Sequence, residues 1–404
     1  MNIWLVSIFE NTPIDDNLNT RYNSLVTEAN KRGHQVTFWS STFRHNVKQQ
    51  RFDGYKEVEI NQQTRVKFVP ADAYQQNISV ARMASHYKLA KSMVALFDAE
   101  PKPDVIVVAY PPISTAHELI VWAKKQNIPV IVDIIDPWPN AFLEHMKGLK
   151  KIAVHLGILP LKQKANSVFN NASGIMAISK QYIDFAKTYR KSSVPTAVFY
   201  PAVQFDEMKR QLSEASQKVT KKPNQITVIY AGSLGFSYDL PTILKAAEIL
   251  EKEQPNIHFI IAGDGPQKEM VEAYEQQHSN LEYLGRLPKE KLMEEYYLAD
   301  IGMTQHIQGA TQSVTYKLFD LLACGLPIMN SLESEMKSII LDHQVGFHNE
   351  PGNVRQLADN ILKCAADPQL LQTMKKDALA LTQKLGDAAV VYSKALDFIE
   401  SQVK

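Results

Sequence analysis

The sequence holds only two cysteines in 404 residues, Cys324 and Cys364. That number excludes a disulfide framework and fits a reducing compartment. No run of 18 apolar residues occurs, so no membrane-spanning helix is expected. A secretion signal is not expected either: MNIWLVSIFENTP lacks a basic leading region, and its apolar run ends at Phe9. Charge bias is missing as well. A net charge of +1 gives no electrostatic reason to expect nucleic acid as a partner. There is no Asp-x-Asp, no His-x-x-x-His and no spaced cysteine pair, the usual frames for a divalent metal. No Gly-x-Gly-x-x-Gly follows an early strand, which counts against a nicotinamide dehydrogenase. Tandem repeats, low-complexity tracts and heptads are also lacking.

What is present is an ordinary globular composition, 45% hydrophobic and 22% charged, in a chain long enough for two domains. Short β-rich runs alternate with longer helical patterns. Strands are predicted at 3–9, 35–39, 104–109, 130–135 and 174–178, with helices at 21–32 and 117–126 between them. Runs such as DVIVVA and VIVDII are near-continuous in apolar residues, as expected of strands covered on both faces. Ser179 is placed to cap the helix after the fifth strand. The rhythm stops in the polar, lysine-rich stretch 204–225, read as a linker. It resumes with strands at 226–231, 258–262, 281–284, 301–304 and 327–330 and helices at 240–251, 289–298 and 315–323. The expected architecture is therefore α/β, two doubly wound parallel-sheet domains of the Rossmann type. They span 1–203 and 226–385, and a terminal helix in 386–404 is expected to pack back on the first.

Ligands of such sheets bind outside the carboxyl ends of the strands. In the second domain those ends carry Gly232-Ser233-Leu234-Gly235, Gly263-Asp264-Gly265-Pro266, Gly285-Arg286-Leu287-Pro288 and the polar loop 305–313. Each glycine group serves a tight turn, and each also lets backbone approach a ligand. Arg286 is either a solvated surface arginine or a phosphate ligand. The helix after residue 313 points the N–H groups of Val314, Thr315 and Tyr316 outward, favourable to an anion. Lys317 and Asp320 stand at i and i+3 on that helix, among apolar Leu318, Phe319, Leu321, Leu322 and Ala323. A surface ion pair is one explanation. The apolar neighbours favour another, because a buried charge needs a partner. Lys317 then faces an anion, and Asp320 accepts hydrogen bonds from two vicinal hydroxyls of the kind a ribose presents.

Six motifs in order resemble the retaining glycosyltransferases of the GT-B fold, family 4, in the branch that builds bacterial surface polysaccharides with N-acetylfucosaminyl- and N-acetylglucosaminyl-type enzymes. They are Arg32-Gly33-His34-Gln35-Val36-Thr37, the segment 132–139 with Asp136-Pro137-Trp138-Pro139, Tyr230-Ala231-Gly232-Ser233-Leu234-Gly235, Ile261-Ala262-Gly263-Asp264-Gly265-Pro266, Leu284-Gly285-Arg286-Leu287-Pro288, and Lys317-Leu318-Phe319-Asp320 followed by Ala323-Cys324-Gly325-Leu326-Pro327. The resemblance implies two domains facing across a cleft. It implies a nucleotide-diphosphate sugar, UDP-linked, as donor and a saccharide or lipid-linked saccharide as acceptor. On the donor side it implies Gly232, Ser233, Gly263, Asp264, Gly285, Arg286, Leu287, Gln312, Ser313, Val314, Thr315, Lys317 and Asp320. Lys317, Arg286 and Asp136 carry the chemistry, and Asn19, Arg21, Tyr110 and Trp138 line the acceptor side. Asp136 has two readings, acceptor base or turn former. No cofactor and no metal are expected, because the positive groups can stabilise the leaving diphosphate.

The sequence departs from the family pattern at four places. Gln312 stands where the family has the first of two glutamates, and Ile135 stands where it has His or Arg. Residues 233–237 lack the family's Arg and Lys, and 17–21 replaces a Gly-Gly loop. Residues 147–164 mix lysines with apolar side chains and read either as a membrane-surface segment or as a buried helix with exposed lysine stems. The expected location is cytoplasmic, with contact at the inner membrane face. Two other readings stay open: a UDP-N-acetyl-sugar 2-epimerase, and a non-catalytic nucleotide-sugar-binding relative.

Overall fold

The computed structural model describes residues 1–15, 19–77, 79–143, 148, 154–155, 157–190 and 193–403. The chain divides into two compact units, residues 1–200 with 391–404, and residues 201–390.

The first unit is built on an eight-stranded sheet in the order Thr196–Val198, Gly174–Ala177, Val130–Ile134, Val105–Tyr110, Asn2–Val6, Gln35–Ser41, Thr64–Val69, Lys56–Asn61. Every neighbouring pair is parallel except the last, where Lys56–Asn61 runs antiparallel to Thr64–Val69. The strand Val105–Tyr110 is buried at all six positions, because helices cover both faces of a parallel sheet. One core face centres on aromatic packing, with Trp4 lying 5.2 Å from Trp39 and 4.9 Å from Phe97 between ring centroids. Ser79 and Ser179 cap the helices Val80–Phe97 and Lys180–Lys187 by accepting from the third backbone N–H beyond each. The helix Ala388–Glu400 ends the chain. Residues 391–404 cluster with the first unit, and Arg32 reaches Asp397 at 2.7 Å and Glu400 at 3.1 Å.

The second unit has six strands, all parallel, in the order Leu281–Gly285, Ile257–Ala262, Ile226–Ala231, Ile301–Thr304, Ile328–Asn330, Gly346–His348. In chain order this is 3-2-1-4-5-6, a doubly wound sheet whose direction of winding reverses between its first and fourth strands. Val228 and Ile301 pair across that reversal. Asp239 caps the helix Leu240–Glu253 by accepting from Thr242 N–H at 3.2 Å. Residues 204–225, expected as a linker, contain the helix Phe205–Ser216, which packs on Lys289–Leu298. The three-residue strands Thr196–Val198 and Gly346–His348 were too short to stand out as patterns in the sequence. Most of the lysine-rich segment 147–164 lies outside the described residues. Among the described residues, no helix is long and apolar enough to cross a membrane.

Candidate functional site

The winding reversal of the second sheet brings two glycine turns together at its carboxyl edge. Gly232 follows Ile226–Ala231 with φ +143°, and Gly263 follows Ile257–Ala262 with φ +149°. A Cβ on Gly263 would lie 1.8 Å from the Gly232 carbonyl oxygen, and one on Gly232 would lie 2.3 Å from Lys317 Cε. Only glycine allows this approach, in φ as in space. The turns are therefore shaped around the lysine.

Lys317 sits in the first turn of the helix Tyr316–Ala323, whose N-cap residue Thr315 makes no side-chain cap. The start of a helix is the end its dipole makes favourable to an anion. Lys317 Nζ donates to Tyr230 Oη at 2.8 Å. It also lies 4.1 Å from the Tyr230 ring centroid and 4.0 Å from that of Tyr238. Tyr230 Oη donates in turn to the Ser233 carbonyl at 2.6 Å. Burial lowers the Lys317 pKa to about 7, with Asp320 partly opposing. Burial raises that of Asp320 to about 6, against the pull of Lys317 and Lys289. The surface ion pair weighed for these residues does not form: among the described residues neither is in a salt bridge, and Asp320 has no hydrogen-bond partner. A lysine held by two tyrosines and a carboxylate left open are what a bound partner would complete.

Both groups open into a cavity of about 420 Å³. Its wall brings together eight of the expected donor-side residues: Gly232, Ser233, Gly263, Asp264, Arg286, Leu287, Lys317 and Asp320. Ala231, Ala262, Leu292 and Tyr296 complete it. Arg286 is exposed and makes no ion pair among the described residues. Asp264 is exposed too, and its Oδ1 accepts the N–H of Gly265 at 2.8 Å. Gly285 stands just behind, its carbonyl accepting the N–H of Gly263 at 2.7 Å. Gln312, Ser313, Val314 and Thr315 lead into the helix and do not line the cavity. Gln312 Oε1 and Ser313 Oγ are buried without a partner, while the Ser313 carbonyl accepts from Ser334 Oγ at 2.7 Å.

Sequence reasoning gave no role to Tyr230, Tyr238, Tyr296 or His306. His306 is fully buried. Its Nδ1 donates to the Thr304 carbonyl at 3.2 Å, and its Nε2 has no partner. Burial, then Lys317, lowers its pKa to about 4, so the ring is neutral and Nε2 is an acceptor. No periodicity marks these side chains; only their places beside the glycine turn and the fourth strand could have pointed to them.

In the first unit, Asp136, Trp138 and Tyr110 come together. Asp136 follows the strand Val130–Ile134, and its Oδ2 accepts from Trp138 Nε1 at 2.8 Å. Tyr110, fully buried, donates from its hydroxyl to the Trp138 carbonyl at 2.5 Å. Arg21, expected on the acceptor side, is instead a core residue with 1% exposure. Its fork grips Asp133 through Nε at 2.7 Å and Nη2 at 2.8 Å, and Nη1 donates to the Phe199 carbonyl at 2.7 Å. Asn19 is exposed, and the residues before it, 16–18, lie outside the described set. Among the described residues, no three His, Cys, Asp or Glu side chains gather as metal ligands do.

Residues 212–380 match the glycosyl transferases group 1 family. The UDP-glycosyltransferase TURAN of Arabidopsis thaliana is 31% identical over 124 residues, 29% of this chain and 26% of that protein. The match therefore spans about a quarter of that relative's length. The α-monoglucosyldiacylglycerol synthase of Acholeplasma laidlawii is 24% identical over 70% of this chain and 72% of its own. Among solved structures, HepE of Anabaena in complex with UDP superposes with a TM-score of 0.69 at 15% identity, covering 99% of this chain and 100% of that one. The chain thus has the GT-B fold, and residues 212–380 of its second unit match the group 1 glycosyltransferases.

Proposed function

We propose that this chain is a retaining, metal-independent glycosyltransferase that moves a hexosyl or N-acetylhexosaminyl unit from a UDP-sugar to a saccharide or lipid-linked saccharide acceptor in bacterial surface-polysaccharide synthesis. The observation that carries the reading is the convergence of Lys317, Arg286 and the open carboxylate of Asp320 on one cavity behind two glycine turns. A nucleotide diphosphate offers what each of these lacks. Its phosphates face Lys317 and Arg286, and its ribose hydroxyls donate to Asp320. Support for uridine comes from the named UDP-glycosyltransferase relative and the UDP-bound HepE. A lipid acceptor is supported by the name of the Acholeplasma relative, and it carries with it a place at the cytoplasmic face of the membrane.

In the reaction, the bond from the sugar's anomeric carbon to the donor phosphate breaks, and a bond to the acceptor oxygen forms on the same face. Negative charge grows on the leaving diphosphate. Stabilising that charge is the main catalytic demand, and Lys317 and Arg286 supply the field. The acceptor proton passes to the departing phosphate oxygen. Asp136, held by Trp138, orients the acceptor hydroxyl.

The test is sugar transfer from UDP-glucose and UDP-N-acetylglucosamine to a lipid-linked saccharide, with the anomeric configuration of the product read by NMR. The expected product is α-linked, and its rate of formation is unchanged by a chelator. Epimerisation at C2 without an acceptor would replace this reading with the epimerase. UDP binding without turnover on any acceptor would leave only a binding protein.

A further inference from the structure

A second set of unpaired charges lies in the first unit, at the carboxyl edge of its sheet. Phe9 follows the strand Asn2–Val6, His45 and Lys48 follow Gln35–Ser41, Tyr74 and Asn77 follow Thr64–Val69, and Trp138 follows Val130–Ile134. Four loops after parallel strands thus meet where sheets of this kind bind ligands. Arg82 and His86, from the helix Val80–Phe97, complete the group.

Arg82 is 7% exposed. Its guanidinium carbon lies 4.7 Å from the Trp138 ring centroid and 5.0 Å from that of Phe9. Nη1 donates to the Asn77 carbonyl, and Nε is buried without a partner. Lys48 donates from Nζ to His45 Nδ1 at 3.2 Å and to Asn77 Oδ1 at 2.7 Å. Tyr74 Oη lies 2.8 Å from His45 Nδ1 and 3.4 Å from His86 Nε2, and His86 Nδ1 is also unpartnered. Among the described residues neither Arg82 nor Lys48 is in a salt bridge. Arg82 and Lys48 help hold both imidazoles neutral, His45 at a pKa of about 4 and His86 at about 3, with burial the larger cause. Tyr74 and Asp136 favour the Arg82 cation, but among the described residues no carboxylate is in ion-pair contact with Arg82 or Lys48. A buried cation without such a contact is costly, and two cations beside two suppressed imidazoles form an incomplete site.

We propose that Arg82, Lys48 and His45 hold a phosphate group carried by the acceptor, with the rings of Phe9 and Trp138 against its sugar. This deepens the glycosyltransferase reading and rests on it. A single carboxylate would be satisfied by one guanidinium fork; the donors here come from three side chains in different directions, which suits a phosphate's three oxygens. His45 and Lys48 are half-buried and Asn77 is exposed, so the group is reached from their side. The acceptor class is therefore a saccharide phosphate rather than a neutral sugar.

The test is NMR of the full chain labelled at histidine side chains, titrated at neutral pH with glucose 1-phosphate, with inorganic phosphate and with glucose. The His45 and His86 signals are expected to move with glucose 1-phosphate at concentrations at least tenfold lower than with inorganic phosphate, and to stay still with glucose. Lys48→Met and Arg82→Lys should each weaken the response at least tenfold, and Lys317→Met should leave it intact. Lys48 is half-buried, so its variant keeps the test alive where Arg82→Lys fails to fold. Motionless histidines, an equal response to glucose, an equal response to inorganic phosphate, or loss of the response in Lys317→Met would each overturn the proposal. UDP binding is measured alongside. Its failure counts against the glycosyltransferase reading, whatever the histidines do. Silent histidines in a protein that binds UDP overturn the acceptor phosphate alone.

Discussion

Arg21 with Asp133 in the first unit, and Lys317 with Asp320 in the second, each place a cation and a carboxylate inside a parallel-sheet unit. Their construction is opposite. Arg21 closes on Asp133 with two parallel hydrogen bonds of 2.7 and 2.8 Å, and a carbonyl takes a third donor. Lys317 turns away from Asp320 to a tyrosine hydroxyl and two aromatic faces. The first pair has satisfied its donors within the protein and has little left to offer a ligand. The second keeps a carboxylate open to a cavity and a lysine whose charge burial makes easy to lose. Proximity in sequence misleads here: the spacing i, i+3 marks the pair that does not form, and 112 positions separate the pair that does.

The largest effect that would test this contrast is on stability. Asp133→Ala leaves Arg21 buried without its carboxylate, and breaking such a pair costs roughly 3–5 kcal/mol. Chemical denaturation should show that loss, while the folded fraction binds UDP as before. A loss below about 1 kcal/mol would mean the pair is not structural.

The mirror experiment is Lys317→Met. Removing a charge-assisted contact to phosphate should cost roughly 2–3 kcal/mol of UDP affinity by calorimetry. Stability should rise rather than fall. The folded pKa of about 7 lies below the unfolded value near 10.4, so the unfolded chain binds the proton more tightly. The charged lysine therefore destabilises the fold fully below about pH 7, and the penalty fades as pH approaches the unfolded value. A variant that binds UDP normally, or melts well below the parent, would erase the contrast.

Much of this was legible before any coordinates. Strands buried on both faces leave continuous apolar runs, so 104–109 and 130–135 stood out. Glycine turns at strand ends announce themselves, and Asp320 is conspicuous among apolar neighbours. Arg21 was misplaced because the apolar face of its helix, Leu25, Val26 and Ala29, says nothing about a partner 112 positions further along the chain. Tyr230, Tyr238 and His306 were missed for a related reason. Their meaning comes from meeting Lys317, and neither period nor spacing encodes that meeting. The group around Arg82 is the extreme case, since one helix and four loops supply it and only the loop of Trp138 carries a motif.

A smaller effect separates the two members of the second pair. Asp320→Asn keeps the shape of the side chain and exchanges one acceptor oxygen for an amide donor. If Asp320 accepts from both ribose hydroxyls, the change should cost about 1.4 kcal/mol, tenfold in UDP affinity, as expected for hydrogen bonds to a charged group. The preference for UDP over 2′-deoxy-UDP should shrink with it. An unchanged preference would move the ribose away from this carboxylate and leave Lys317 as the sole functional member.

The smallest predicted effect, and the most specific, is on pH. In the free protein Lys317 is half-charged near pH 7, and a bound diphosphate favours its charged form. Affinity for UDP should therefore weaken as pH rises, by about fivefold from pH 7 to 8 for a single group with that pKa. Competing titrations lie elsewhere. Asp320 at about 6 and His306 at about 4 change charge at lower pH, and a terminal phosphate with a pKa near 6 is already ionised. Lys317→Arg should flatten the profile, because a guanidinium keeps its charge where the ammonium does not. A slope that survives this exchange would belong to another group, and the open lysine would lose its distinction from the closed arginine.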